Sequence, residues 1–165
     1  MKRKKILVVF GTRPELIKFA PVIHQLETQK DCFDLRICGT GQHKELVDPL
    51  LDLFNIPMDY DLKLMNPSQS SHRFLSRCID ELGQLMLSVR PDFVMVQGDT
   101  NSALAGALAA YHANIPIVHI EAGLRSFDLG QPFPEEGNRR IISQLARYHF
   151  APTDHAQQLL SLSGI

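Results

Sequence analysis

Two carboxylates stand directly behind short apolar runs in this chain. Asp99 follows FVMVQG and Glu121 follows IPIVHI. Acids placed together at the edge of an apolar layer are equipment for moving protons. Cations accompany them: GTRPELIK, 11–18, follows the apolar run Ile6–Phe10 without a break and brings Arg13 and Lys18. A glycine turn that opens a helix offers free N–H groups and the positive end of the macrodipole, and Arg13 can grip a phosphate or carboxylate in two places. A plainer reading stands beside each piece. Glu15 and Lys18 can pair at i,i+3 on the surface, Asp99 can cap a helix starting near Asn101, and Glu121 can pair with Arg125.

Further polar groups cluster at similar boundaries. Thr40, Gly41, Gln42 and His43 follow the run FDLRICG. In PFPEEGNRR, Glu135 and Glu136 precede Arg139 and Arg140 by four residues, a spacing that helix-dipole and i,i+4 effects select without any function. His119 lies inside an apolar run and reads as a satisfied core histidine. KRKK, 2–5, reads as a solvated terminus.

The elements that must position these groups alternate regularly. KILVVF, FDLRICG, FVMVQG and IPIVHI are apolar runs followed by turns and helical patterns, as strands covered on both faces are. YHFAPT, 148–153, and a shorter YDLKLM, 60–65, read as further strands. Helices are expected near 14–29, 44–54, 70–89, 101–113, 135–147 and 154–162, the first kinked at Pro21. The Ala- and Gly-rich NSALAGALAAYHA predicts a helix closely apposed to the sheet or to a neighbouring helix. The β-α-β-α order predicts an α/β domain with a doubly wound parallel sheet, whose crevice lies beyond the carboxyl ends of the strands. Neither G-x-G-x-x-G nor G-x-x-x-x-G-K-[ST] occurs, and the second strand ends in CGTG instead of a ribose-binding acid, which opposes a standard dinucleotide site and a P-loop.

Bulk properties narrow the choices. With 165 residues the chain is the size of one domain, able to bury roughly 70% of its unfolded surface. A net charge of -1, 44% hydrophobic and 21% charged residues give no electrostatic case for nucleic acid or an acidic membrane. Three cysteines without C-x-x-C spacing indicate neither a disulfide framework nor a zinc site. The apolar run behind the initial basic residues is too short for an export signal, so a cytoplasmic location is expected. The pattern halts in a helix followed by SGI, as if the sequence were cut.

Taken together and in order, GTRPELIKFAP, TGQH, GDTNSALAGALAA, HIEAGLRSFD and PFPEEGNR resemble the N-terminal half of the non-hydrolysing UDP-N-acetylglucosamine 2-epimerases, over residues 5 to 160. The resemblance implies a Rossmann-like N-terminal domain, 1–165, of a two-domain GT-B fold, with the C-terminal UDP-binding domain absent. It implies interconversion of UDP-GlcNAc and UDP-ManNAc by elimination and re-addition of UDP through 2-acetamidoglucal, without NAD or a metal, in a homodimer. Asp99, Glu121 and Glu135 match catalytic carboxylates, Arg13 and Lys18 match catalytic or substrate-binding cations, and Gln42, His43 and Glu136 resemble an allosteric site for a second UDP-GlcNAc. The chain alone is expected to be inactive. The other readings are a non-catalytic anion-binding or dimerisation module and the N-terminal half of a GT-B glycosyltransferase.

Overall fold

The computed structural model describes residues 3–165. Twelve elements follow one another: β1 (Lys4–Phe10), α1 (Arg13–Glu27), β2 (Phe33–Gly39), α2 (Lys44–Phe54), β3 (Tyr60–Asp61), α3 (Ser71–Val89), β4 (Phe93–Gln97), α4 (Asn101–His112), β5 (Ile117–Ile120), α5 (Glu135–Leu145), β6 (Tyr148–Phe150) and α6 (Asp154–Leu162). The six strands form one sheet in the order β3-β2-β1-β4-β5-β6. Every pairing is parallel. The doubly wound sheet is therefore present.

Strand β1 shows why its sequence reads as a continuous apolar run. Ile6, Val8 and Phe10 join a core with Leu16, Phe19 and Ile23 of α1 and Val47 and Leu51 of α2. Leu7 and Val9 face the other way, into a core with Phe74, Leu82 and Met86 of α3, the alanines of α4 and Ile142 of α5. Alternate side chains of one strand thus serve two helical layers, and neither set can be polar. Helix α4 lies close to the sheet, as its small residues predict: a Cβ added at Gly106 would meet Val96 Cγ1 at 2.9 Å and Val9 Cγ1 at 3.4 Å.

Two expectations need correction. YDLKLM forms a strand only at Tyr60–Asp61, because Lys63 adopts a left-handed backbone, φ 50°, that a strand cannot continue through. KRKK is not simply solvated. Lys2 lies outside the described residues, but Lys4 pairs with Asp92 at 3.2 Å and Lys5 Nζ donates to the Val89 carbonyl at 2.7 Å. These contacts tie the start of β1 to the α3–β4 connection. Helix α1 runs unbroken through Pro21.

The winding of the sheet reverses between β1 and β4, which run parallel side by side. Connections from β1 lead toward β2 and those from β4 toward β5, so the turns behind β1 and β4 part and leave a crevice. The turns behind β1, β4 and β5 bring Arg13, Asp99 and Glu121 to this end of the sheet.

Candidate active site

The turn behind β1 is closed by its own helix. Glu15, 1% exposed, accepts from the backbone N–H groups of Gly11 and Thr12 at 3.0 and 2.8 Å and from the Thr12 hydroxyl at 2.7 Å. Its second oxygen accepts from the Thr100 hydroxyl at 2.8 Å, across the crevice behind β4. The proposed surface pair of Glu15 with Lys18 is therefore wrong, and the amides expected to be free for an outside anion are occupied by an internal carboxylate. Burial pushes the Glu15 carboxyl up, opposed by the bonds from Thr12, Gly11 and Thr100. Gly11 has no alternative here, since a Cβ would stand 2.0 Å from Ser102 Oγ and 2.3 Å from Thr40 Oγ1. Arg13, exposed, remains available.

Asp99 and Glu121 arrive from neighbouring strands, β4 and β5, which pair from Val94↔Ile117 to Gln97↔Ile120. Neither behaves as the plain readings have it. Thr100, not Asp99, caps α4, its hydroxyl accepting from Ala103 N–H at 3.0 Å. Asp99 instead pairs with Arg139. Its carbonyl accepts from Asn138 Nδ2 at 2.9 Å. Glu121 does not pair with Arg125, which donates to the Leu124 carbonyl and the Ser143 hydroxyl. It takes Lys18 Nζ at 2.5 Å and the side-chain amide of Gln97.

Glu121 sits at φ 62°, a left-handed conformation that costs a non-glycine residue about 1–2 kcal/mol and gathers at functional sites. Burial raises the Asp99 carboxyl, Arg139 opposes this, and the charges of Glu135 and Glu121 push it up again. Three acids and two cations thus share one end of the sheet: Asp99, Glu121 and Glu135 with Arg139 and Lys18. The site can shuttle a proton between carboxylates of unlike surroundings.

The remaining residues spread over two other places. Gln42 follows β2, where its Oε1 accepts from Ser102 Oγ at 2.7 Å, and the exposed His43 holds Gly11 O through its backbone N–H at 2.8 Å. Gln42 and His43 line a cavity with Lys63 and Asn66. Glu136 is 0% exposed and pairs with Arg140 at 2.7 Å, as i,i+4 spacing predicts. It also accepts from Ser126 N–H at 3.0 Å. Burial raises its carboxyl, but the Ser126 amide, Arg140 and Arg139 together outweigh this and hold it low. His119 is buried as expected but only half satisfied: Nε2 donates to the Gly98 carbonyl at 2.8 Å while Nδ1 has no hydrogen-bond partner among the described residues, and burial keeps the ring neutral with a pKa lowered to about 4.

Comparison with known proteins finds relatives along nearly the whole chain. The family model described as UDP-N-acetylglucosamine 2-epimerase matches residues 24–165. This chain belongs to that family. An epimerase of this name from Yersinia pestis is 47% identical over 94% of the chain and 41% of its own length. The solved Neisseria meningitidis UDP-GlcNAc 2-epimerase bound to UDP-GlcNAc superposes with a TM-score of 0.92 at 47% identity, over 98% of this chain and 43% of that one. The Methanocaldococcus jannaschii UDP-GlcNAc 2-epimerase in complex with UDP-GlcNAc and UDP gives 0.87 at 39% identity, over 100% and 44%. The chain thus spans less than half the length of the relatives it matches and corresponds to their N-terminal half, the Rossmann-like domain of a GT-B arrangement.

Sequence reasoning missed several members of this site. Glu15 carried a usable signal, since Thr12 and Glu15 stand in the T-x-x-E spacing of a capping box. Gln97 and Asn138 carried none, because their partners lie far away along the chain, and Thr100, placed to cap α4, gave no sign of its bond to Glu15. Arg139 was misassigned to Glu135 by i,i+4 arithmetic and in fact reaches Asp99.

Proposed function

We propose that this chain is the acid–base half of an enzyme that interconverts UDP-GlcNAc and UDP-ManNAc. The observation that carries the reading is the placement of Asp99 and Glu121 on adjoining strand ends, each against its own cation. Epimerisation at C2 has to remove a proton from one face of the sugar and return one to the other. Two acids meet that need, each serving as base in one direction and as acid in the reverse.

In the proposed reaction the C2 proton passes to one carboxylate while the C1–O bond breaks, its electrons leaving with UDP and a C1=C2 double bond forming in 2-acetamidoglucal. Re-addition of UDP at C1 with protonation of C2 on the opposite face gives the epimer. Burial raises the Asp99 carboxyl and Arg139 opposes this, so the carboxylate stands ready to take the C2 proton. Glu135 assists or orients from α5. Lys18 offsets the charge on Glu121, and Arg13, exposed over the crevice, meets the diphosphate. A second domain supplies most contacts to uridine and diphosphate, and the enzyme works as a cytoplasmic homodimer without NAD or a metal. No helix among the described residues is long and apolar enough to cross a membrane. Gln42 and His43, which line one cavity, belong to a regulatory site for a second UDP-GlcNAc; Glu136, 0% exposed, is joined to them through the resemblance alone.

The test is deuterium exchange at the sugar C2 of UDP-GlcNAc in D2O, followed by NMR. The folded chain alone is expected to give none. With the second domain supplied, deuterium at C2 and UDP-ManNAc should appear, and Asp99→Asn should abolish both without loss of fold. Exchange by the chain alone would overturn the half-site reading, and turnover by Asp99→Asn would remove Asp99 from the mechanism.

A further inference from the structure

Arg139 stands between two acids. One terminal nitrogen donates to Asp99 Oδ2, and the other lies 3.6 Å from Glu136 Oε2. The arginine side chain is 14% exposed and that of Glu136 is 0% exposed. Glu136 is fixed in turn by Ser126 N–H and Arg140 Nε. The guanidinium is consequently braced from behind before it meets Asp99. The same helix also grips the Asp99 backbone, through Asn138 Nδ2. Helix α5 therefore holds Asp99 at both its carbonyl and its carboxylate.

We propose that Arg139, braced by Glu136, is the positioning residue for Asp99, fixing the rotamer and charge state in which that carboxylate meets the sugar C2. This rests on the acid–base reading of Asp99 given above. A guanidinium stays charged at any working pH and offers separate N–H edges to two acids at once, whereas an ammonium is a single point. The charged groups facing Asp99 are Arg139 and Glu135 from α5 and Glu121 behind β5, the last coupled to Lys18 of α1. Arg139 alone among them favours the ionised carboxylate directly. Without it, burial and the two carboxylates act unopposed.

The test follows the Asp99 carboxyl carbon by 13C NMR titration in this chain and its Arg139→Met and Arg139→Lys variants, with turnover measured when the second domain is supplied. Arg139→Met is expected to raise the Asp99 midpoint by about 1–3 pH units and to move the acid limb of the pH–rate profile with it. Arg139→Lys is expected to lower kcat roughly tenfold with KM nearly unchanged, because one ammonium cannot span both acids. An unmoved midpoint with an unchanged pH profile would overturn the proposal. Should the methionine variant not fold, the lysine variant decides: full kcat overturns the proposal, and a loss in kcat alone supports it. Turnover by Asp99→Asn would instead sink the acid–base reading itself, so the two failures are distinguishable.

Discussion

Glu121 and His119, two residues apart on and just beyond β5, carry opposite kinds of cost. Glu121 holds a left-handed backbone that glycine would occupy freely. Glu121→Gly and Glu121→Ala both lose Lys18 and Gln97, so their difference isolates the backbone: the glycine variant should be more stable by about 1 kcal/mol in urea denaturation. His119 is neutral in the folded state, its pKa lowered by burial from 6.5 to about 4. A depressed histidine binds fewer protons folded than unfolded, so its stabilisation is full above 6.5 and is lost as pH falls toward 4. The loss amounts to about 3 kcal/mol. His119→Gln, which keeps a donor for the Gly98 carbonyl, should flatten that part of the stability–pH curve measured by chemical denaturation.

At the scale of elements, two helical glycines separate packing from propensity. A Cβ added at Gly106 of α4 would press on Val96 and Val9, whereas one at Gly83 of α3 would meet nothing within 4 Å. Gly106→Ala should destabilise by about 1–3 kcal/mol through overpacking, and Gly83→Ala should stabilise by about 0.5–1 kcal/mol through helix propensity. Thermal melts of the two variants should move in opposite directions. Elements of this kind were legible beforehand because their signals are local. The pattern of KELVDPLLDLF predicts 44–54, and α2 occupies Lys44–Phe54. FDLRICG predicts β2 throughout. What resisted reading was the exchange of local partners for distant ones. Lys18 passes over Glu15 to reach Glu121, and Arg139 passes over Glu135 to reach Asp99. In both cases a carboxylate at a strand end, half-buried and charged, outbids a solvent-exposed pair whose worth is only a few tenths of a kcal/mol.

For the molecule as a whole, the loop from β5 to α5 exposes Phe127, Leu129 and Phe133, at 68, 57 and 79%. It leaves the same end of the sheet as Glu121 and returns at Glu135, so it borders the crevice. Limited proteolysis should cut first within 126–133, where the backbone is exposed, and supplying the second domain should slow that cleavage. Mass spectrometry of the fragments checks both statements; an unchanged cutting rate would mean that the second domain leaves this loop uncovered.

The carboxylate of Glu15, seated on the amides of Gly11 and Thr12, gives the molecule a particular division of labour. Nucleotide-binding sheets of this winding ordinarily lodge a pyrophosphate on the first turn. Here that berth is taken by a permanent internal tenant, joined to Thr100, and a phosphate coming to it would meet a lost set of donors and a like charge. In the reaction proposed above, the diphosphate therefore falls to Arg13 and to surfaces outside this turn.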